Sequence, residues 1–179
     1  MTAKRLVFIG LFACLTVLGV LISIPTPLSV VPVTLQIPFT LSAGFVLGPK
    51  DGAISQLLYL LVGAVGLPVF ARQLGGFSVL IGPTAGFLWG FVFSAVLTGL
   101  INRQFCPNKV STIFLSLFLG LLLIYSLGVV GLIIVLEYNL VQAVASGVAP
   151  FVIVDLIKLL VAAYLINSLI KAKIIRAAS

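Results

Sequence analysis

The chain has 179 residues, of which 62% are hydrophobic and 7% charged, with ten Lys and Arg, three acids, no histidine and a formal net charge of +7. A soluble domain carries roughly a quarter charged residues, so this composition excludes a water-solvated globule and indicates a single membrane-embedded domain. The positive charge does not indicate nucleic acid, because the basic residues stand at the ends of apolar runs rather than in a patch with exposed aromatics.

A spanning helix needs about 20 mostly apolar residues. The first expected helix covers residues 5–24 and stops at Pro25 and Pro27. Its apolar run exceeds a signal-peptide core and no small-x-small cleavage site precedes "IPTPLSVVP", so a retained helix is expected. A second, short helix is expected at 34–47, ended by "GPKDG", whose flanking glycines suggest a turn. A third, also short, is expected at 52–66. "LPVFARQLGGFSVLIGP" then reads as a loop, too apolar to be simply solvated. A fourth helix is expected at 84–101, with Pro83 suited to an early helical position. The fifth is long, 111–136, with Gly128 and Gly131 permitting a bend. "EYNLVQAVASGVA" reads as a connection, and the sixth helix is expected at 150–170. The short, Gly/Pro-interrupted segments in the middle point to a pocket, because irregular backbone at membrane depth survives only where protein or a cavity covers it.

Six spans with an inside N-terminus put both ends inside. Lys4, Arg5, Lys50, Arg103, Lys109, Lys171, Lys173 and Arg176, eight of the ten basic residues, then lie on the cytoplasmic side, as the positive-inside rule requires. Cys106 falls in one of these basic loops and Cys14 in the first helix, so two reduced thiols are expected rather than a disulfide.

The exceptions to the charge rule are Arg72, placed outside, and Lys158, placed within the membrane. Asp155 and Lys158 are three residues apart in "PFVIVDLIKLL", on one helix face. Two readings stand: an intrahelical ion pair that neutralises itself, or a polar clamp facing a dry cavity. A clamp of one acceptor and one donor suits a ligand with adjacent N–H and C=O groups, such as a urea or amide. Enzymatic chemistry is poorly provided for. There is no histidine, no paired carboxylate, no metal-ligand cluster and no G-x-x-x-x-G-K-[ST] phosphate loop, so no metal or cofactor is expected.

Along nearly its whole length the chain resembles the BioY family, the biotin-specific substrate-binding (S) components of energy-coupling factor (ECF) transporters. The resemblance rests on "VPVTLQIPFTLSAGFVLGPKDGAISQLLYLLVGAVGLPVFA", "GGFSVLIGPTAGFLWGF", "LGLLLIYSLG" and "DLIKLLVAA" after "GVAPF". It implies a six-helix S component with both termini inside, binding biotin from outside. Such a subunit works with a transmembrane coupling subunit and two ATPases in the bacterial cytoplasmic membrane, reorienting in the bilayer during transport. Where the family usually reads Pro-Thr-Gly-Gly, this chain has "PTAG", with Ala85 in place of a glycine. "GLFACLTVLG" offers small residues Gly10 and Cys14, four apart, where S components dock the coupling subunit. An S component for riboflavin or thiamine, or a ligand-free structural membrane protein, are the competing readings.

Under the biotin reading, Asp155 accepts from a ureido N–H and Lys158 donates to the ureido oxygen. Gln36, Gln56 and Tyr59 are further ligand candidates, with interhelical hydrogen bonding as the alternative for each. Arg72 fits the ligand carboxylate or a lipid headgroup. Thr84 fits a ligand contact or a helix cap. Phe70, Phe77, Phe87 and Trp89 fit either apolar pocket walls or lipid and core contacts.

Overall fold

In a computed structural model, residues 2–23, 32–106 and 108–174 are described. Among them are seven α-helices: α1 (Ala3–Leu21), α2 (Gln36–Leu47), α3 (Pro49–Ala64), α4 (Ala85–Phe105), α5 (Val110–Leu136), α6 (Leu140–Gly147) and α7 (Val152–Lys171). Two 3-10 turns, Ala71–Gln73 and Phe77–Ile81, lie between α3 and α4. Four helices, α1, α4, α5 and α7, are long and apolar enough to cross a membrane. The helices α2 and α3 have 12 and 16 residues, or about 18 and 24 Å at 1.5 Å per residue, against roughly 30 Å of hydrocarbon.

The short helices sit in the middle of the bundle. Helix α2 packs against α1, α3, α4, α5 and α7, and seven of its twelve residues are buried. Small residues let it settle there. A Cβ on Gly44 would stand 2.2 Å from the Ala95 carbonyl oxygen of α4, so only glycine permits that approach. The most extensive packing is between α4 and α5. There Gly86 and Gly131 face each other, and a Cβ on Gly86 would meet the Leu127 carbonyl oxygen at 2.2 Å.

Several boundaries differ from the expectation. "GPKDG" is not a full turn: Gly48, at φ +83°, breaks the chain alone, and Pro49 already occupies the first turn of α3. Helix α1 ends at Leu21. Helix α4 continues four residues beyond the expected end, to Phe105, where Cys106 adopts a left-handed conformation at φ 42°. Helix α5 is unbroken through Gly128 and Gly131, whose small size serves close approach rather than a bend. The segment expected as a plain connection between α5 and α7 contains α6. Asn139 Oδ1 accepts from the Gln142 N–H at 2.9 Å, and Gln142 Oε1 accepts from the Asn139 N–H at 3.1 Å. That is a capping box, and its N-x-x-Q signature was present in the sequence.

One end of the bundle gathers basic residues. The Arg5 guanidinium pairs with the Asp51 carboxylate, joining the start of α1 to the start of α3. The end of α4 lies beside Pro49 at Gly99. Lys4, Lys50, Arg103 and Lys109 therefore share that end; Arg176 lies outside the described residues. Neither Cys14 nor Cys106 is in a disulfide.

Candidate functional site

A narrow cleft opens at the opposite end of the bundle, between the N-terminal end of α2, the N-terminal end of α4, α5 and the start of α7. It is lined by Pro32, Val33, Thr34, Gln36, Ile37, Ala71, Thr84, Phe87, Leu88, Phe91, Tyr125, Gly147, Phe151 and Asp155. Its lining is mostly apolar, with a few polar groups turned inward, the usual make-up of a small-molecule site. Between the walls there is room for only a few water molecules.

Asp155 is the charged residue of this lining, and it is 2% exposed. Both its oxygens are held. The Tyr125 hydroxyl donates to Oδ2 at 2.6 Å, and Lys158 Nζ donates to Oδ1 at 2.8 Å. Lys158 also donates to the Thr34 carbonyl at 2.6 Å. One ammonium thus ties α7 to the segment leading into α2. A carboxylate so enclosed is tolerable only because its lone pairs are used. Lys158 is not in the cleft lining. Its stem lies along an apolar groove formed by α1, α2 and α7, and only its head reaches Asp155.

The remaining candidates separate into two groups. Gln36, Thr84 and Phe87 line the cleft. Gln36 donates from Nε2 to the Tyr59 hydroxyl at 2.5 Å, and its Oε1 accepts from Thr34 at 3.2 Å. Thr84 precedes α4 and makes no capping hydrogen bond with its side chain. Phe87 is positioned by absences: the two glycines Gly128 and Gly147 make the slot for its ring, and a Cβ on Gly128 would stand 2.2 Å from the ring edge.

Tyr59 and Gln56 lie behind the cleft. Tyr59 is fully buried, donates to the Val69 carbonyl at 3.1 Å and stacks edge-on with Phe70 at 5.6 Å. Gln56 is fully buried among α1, α2 and α3, accepting from Thr40 at 3.0 Å and donating to Thr16 at 3.3 Å. Its amide ties three helices together. Arg72 is exposed, in a tight loop at the cleft's rim beside the lining residue Ala71. Arg72 and Gln73 both take left-handed backbone, φ 62° and 57°, while Phe70 N–H donates to the Leu74 carbonyl across the loop. Two successive left-handed residues other than glycine are uncommon and carry backbone strain at this rim. Phe77 and Trp89 face outward, and Trp89 Nε1 donates to the Leu80 carbonyl at 3.3 Å. Tyr125, Phe91 and Phe151 line the cleft without having been singled out in the sequence. A tyrosine in an apolar run was the available signal for Tyr125, since a buried hydroxyl requires a partner.

A profile of the BioY family matches residues 1–174, nearly the entire chain. The chain belongs to the BioY family. Among its BioY relatives, the biotin transporter BioY of Thermotoga maritima is 41% identical over 173 residues, covering 97% of this chain and 99% of that one. The probable biotin transporter BioY of Pyrococcus horikoshii is 37% identical over 158 residues, 88% of this chain and 91% of the other. The fold also matches a crystal structure of the S-component for biotin from an ECF-type ABC transporter. That match has a TM-score of 0.85 and 26% identity, and covers 96% of this chain and 95% of that one.

Proposed function

We propose that this BioY chain is the biotin-binding subunit of a vitamin uptake transporter, and that the cleft around Asp155 is its biotin site. The observation that carries the site assignment is a carboxylate, 2% exposed, held in the lining of a mostly apolar cleft. Biotin has a neutral ureido ring, an apolar thioether ring and a valerate carboxylate. The ureido N–H groups are donors for Asp155, and Phe87, Phe91 and Phe151 supply apolar walls for the rings. Arg72, at the rim, takes the valerate carboxylate. Lys158 acts behind Asp155, fixing its orientation and the segment at Thr34, and turns its ammonium to the ureido oxygen only if the Thr34 contact is released. Accommodating the bicyclic ring requires the three phenylalanine walls to separate, so binding includes a structural rearrangement.

The subunit works with a membrane coupling subunit and two ATPases, a division of labour supported by the likeness to an ECF-type S-component; the chain itself carries no phosphate-binding loop. It sits in the bacterial cytoplasmic membrane as six spans, α1 to α5 and α7, with both termini in the cytoplasm. The gathering of basic residues at the end opposite the cleft supports that orientation. No bound cofactor is required by this scheme.

Calorimetry on the purified protein, freed of endogenous ligand by dialysis, tests the proposal. Tight binding of biotin, with desthiobiotin weaker or comparable and riboflavin and thiamine silent, is expected. A folded, ligand-free sample that binds riboflavin or thiamine instead would reassign the cleft to another vitamin.

A further inference from the structure

The eight-residue helix α6 presents three distinct faces. Ala143 and Gly147 are buried on the bundle, where a Cβ on Gly147 would come within 2.7 Å of Leu132 Cδ1 and 3.2 Å of the Phe87 ring. Leu140, Val141 and Val144 are exposed at 64%, 77% and 41%. On a helical wheel these three share an arc of about 100°, while Gln142 and Ser146 fall together on the remaining face. A helix solvated on both outer faces gains nothing from concentrating its aliphatic side chains on one of them.

The position of α6 says what covers that arc. It connects the end of α5 to the start of α7, both of which are long and apolar enough to cross a membrane. It is therefore held at a membrane boundary. Its exposed aliphatic arc adds to exposed apolar side chains at the adjoining helix ends, Ile134 and Val135 on α5 and Ile153 on α7. We propose that α6 lies in the membrane interface, with Leu140, Val141 and Val144 inserted at the headgroup–acyl boundary and Gln142 and Ser146 turned to water. Gly147, on the inner face, lines the cleft and seats Phe87. Lipid thus backs one wall of the cleft, and lifting α6 from the bilayer loosens that wall. The lipid surface stands independently of the biotin reading; its effect on ligand release rests on it.

The test uses the full chain in lipid nanodiscs, with Cys14 and Cys106 replaced by serine. Single cysteines at Val141, Val144, Gln142 and Ser146 carry an environment-sensitive fluorophore. Phospholipid spin-labelled at a shallow acyl position should quench the label at 141 and 144 about threefold or more over that at 142 and 146. Equal quenching at all four positions overturns the proposal. So does shielding of 141 and 144 that appears only when two protein copies share a disc, which would assign the arc to a second copy.

The coupling to the cleft is read from biotin dissociation in nanodiscs. Val141→Asp should speed it about three- to tenfold, and Val141→Thr should act in the same direction more weakly if the aspartate variant does not fold. An unchanged rate in a variant whose label pattern has lost its lipid contact overturns the coupling. A wild-type protein that binds no biotin would fail the biotin reading, while the quenching pattern still decides the lipid surface.

Discussion

Asp155 has no idle oxygen: Tyr125 holds one side of the carboxylate and Lys158 the other. A ligand N–H must therefore use a remaining lone pair or displace the tyrosine hydroxyl. Hydrogen bonds to charged groups are worth roughly 1.5–3 kcal/mol, so Asp155→Asn should raise the dissociation constant for biotin about ten- to a hundredfold. Calorimetry checks this, and unchanged affinity would remove Asp155 from the site. Gln56 makes the opposite prediction. Its amide joins α1, α2 and α3 without lining the cleft. Gln56→Ala should destabilise the protein by about 0.5–2 kcal/mol, seen as a lower thermal midpoint in detergent, with biotin affinity preserved. Lost affinity at full stability would place Gln56 at the ligand after all. Asp155 was legible in the sequence because an ionisable residue in an apolar run must have a partner. Tyr125 was legible only as a hydroxyl in need of a partner, because an apolar run reveals neither the depth of a tyrosine nor its neighbour.

At the scale of helices, small residues govern the construction. Gly86 lets α4 and α5 meet backbone to backbone, and Gly128 leaves space for the Phe87 ring at the cleft. Gly86→Ala should cost about 1–3 kcal/mol, since its added methyl meets a backbone carbonyl that cannot rotate away. Thermal unfolding in detergent measures it; an unaltered midpoint would mean that α4 and α5 separate without penalty. Ala85, beside it, is buried at the start of the same helix. The helix pattern itself was readable from apolar runs and glycine–proline punctuation. Helix α6 escaped that reading because its eight residues are too few to give a span-like run, although its capping box was visible.

At the scale of the whole molecule, one thiol reports on orientation. Cys106 is exposed at the basic end of the bundle, just after α4. In a Cys14→Ser background, a membrane-impermeant maleimide should label Cys106 in inside-out vesicles and spare it in intact cells. The reverse pattern would invert the topology and place the Asp155 cleft toward the cytoplasm. The cleft and the basic cluster lie at opposite ends, so the same experiment fixes the side from which ligand enters. The Arg5–Asp51 pair closes the basic end by fastening α1 to α3. Its side chains are partly exposed, so salt will weaken it and its contribution to stability is small.

By itself the sequence determined the solvent, the helical class, the basic end and the one buried acid. Each of these follows from local composition: apolar length, charge placement and the desolvation cost of an isolated carboxylate. Only the tertiary structure decided which polar residues face a cavity and which hold helices together. Gln36 and Gln56 are chemically identical, yet one lines the cleft and the other bridges three helices. The difference lies in which helices surround each amide, and that is set by packing between segments far apart in the chain. The same holds for Lys158, whose ammonium meets a backbone carbonyl 124 residues away, a partner that no local spacing could announce.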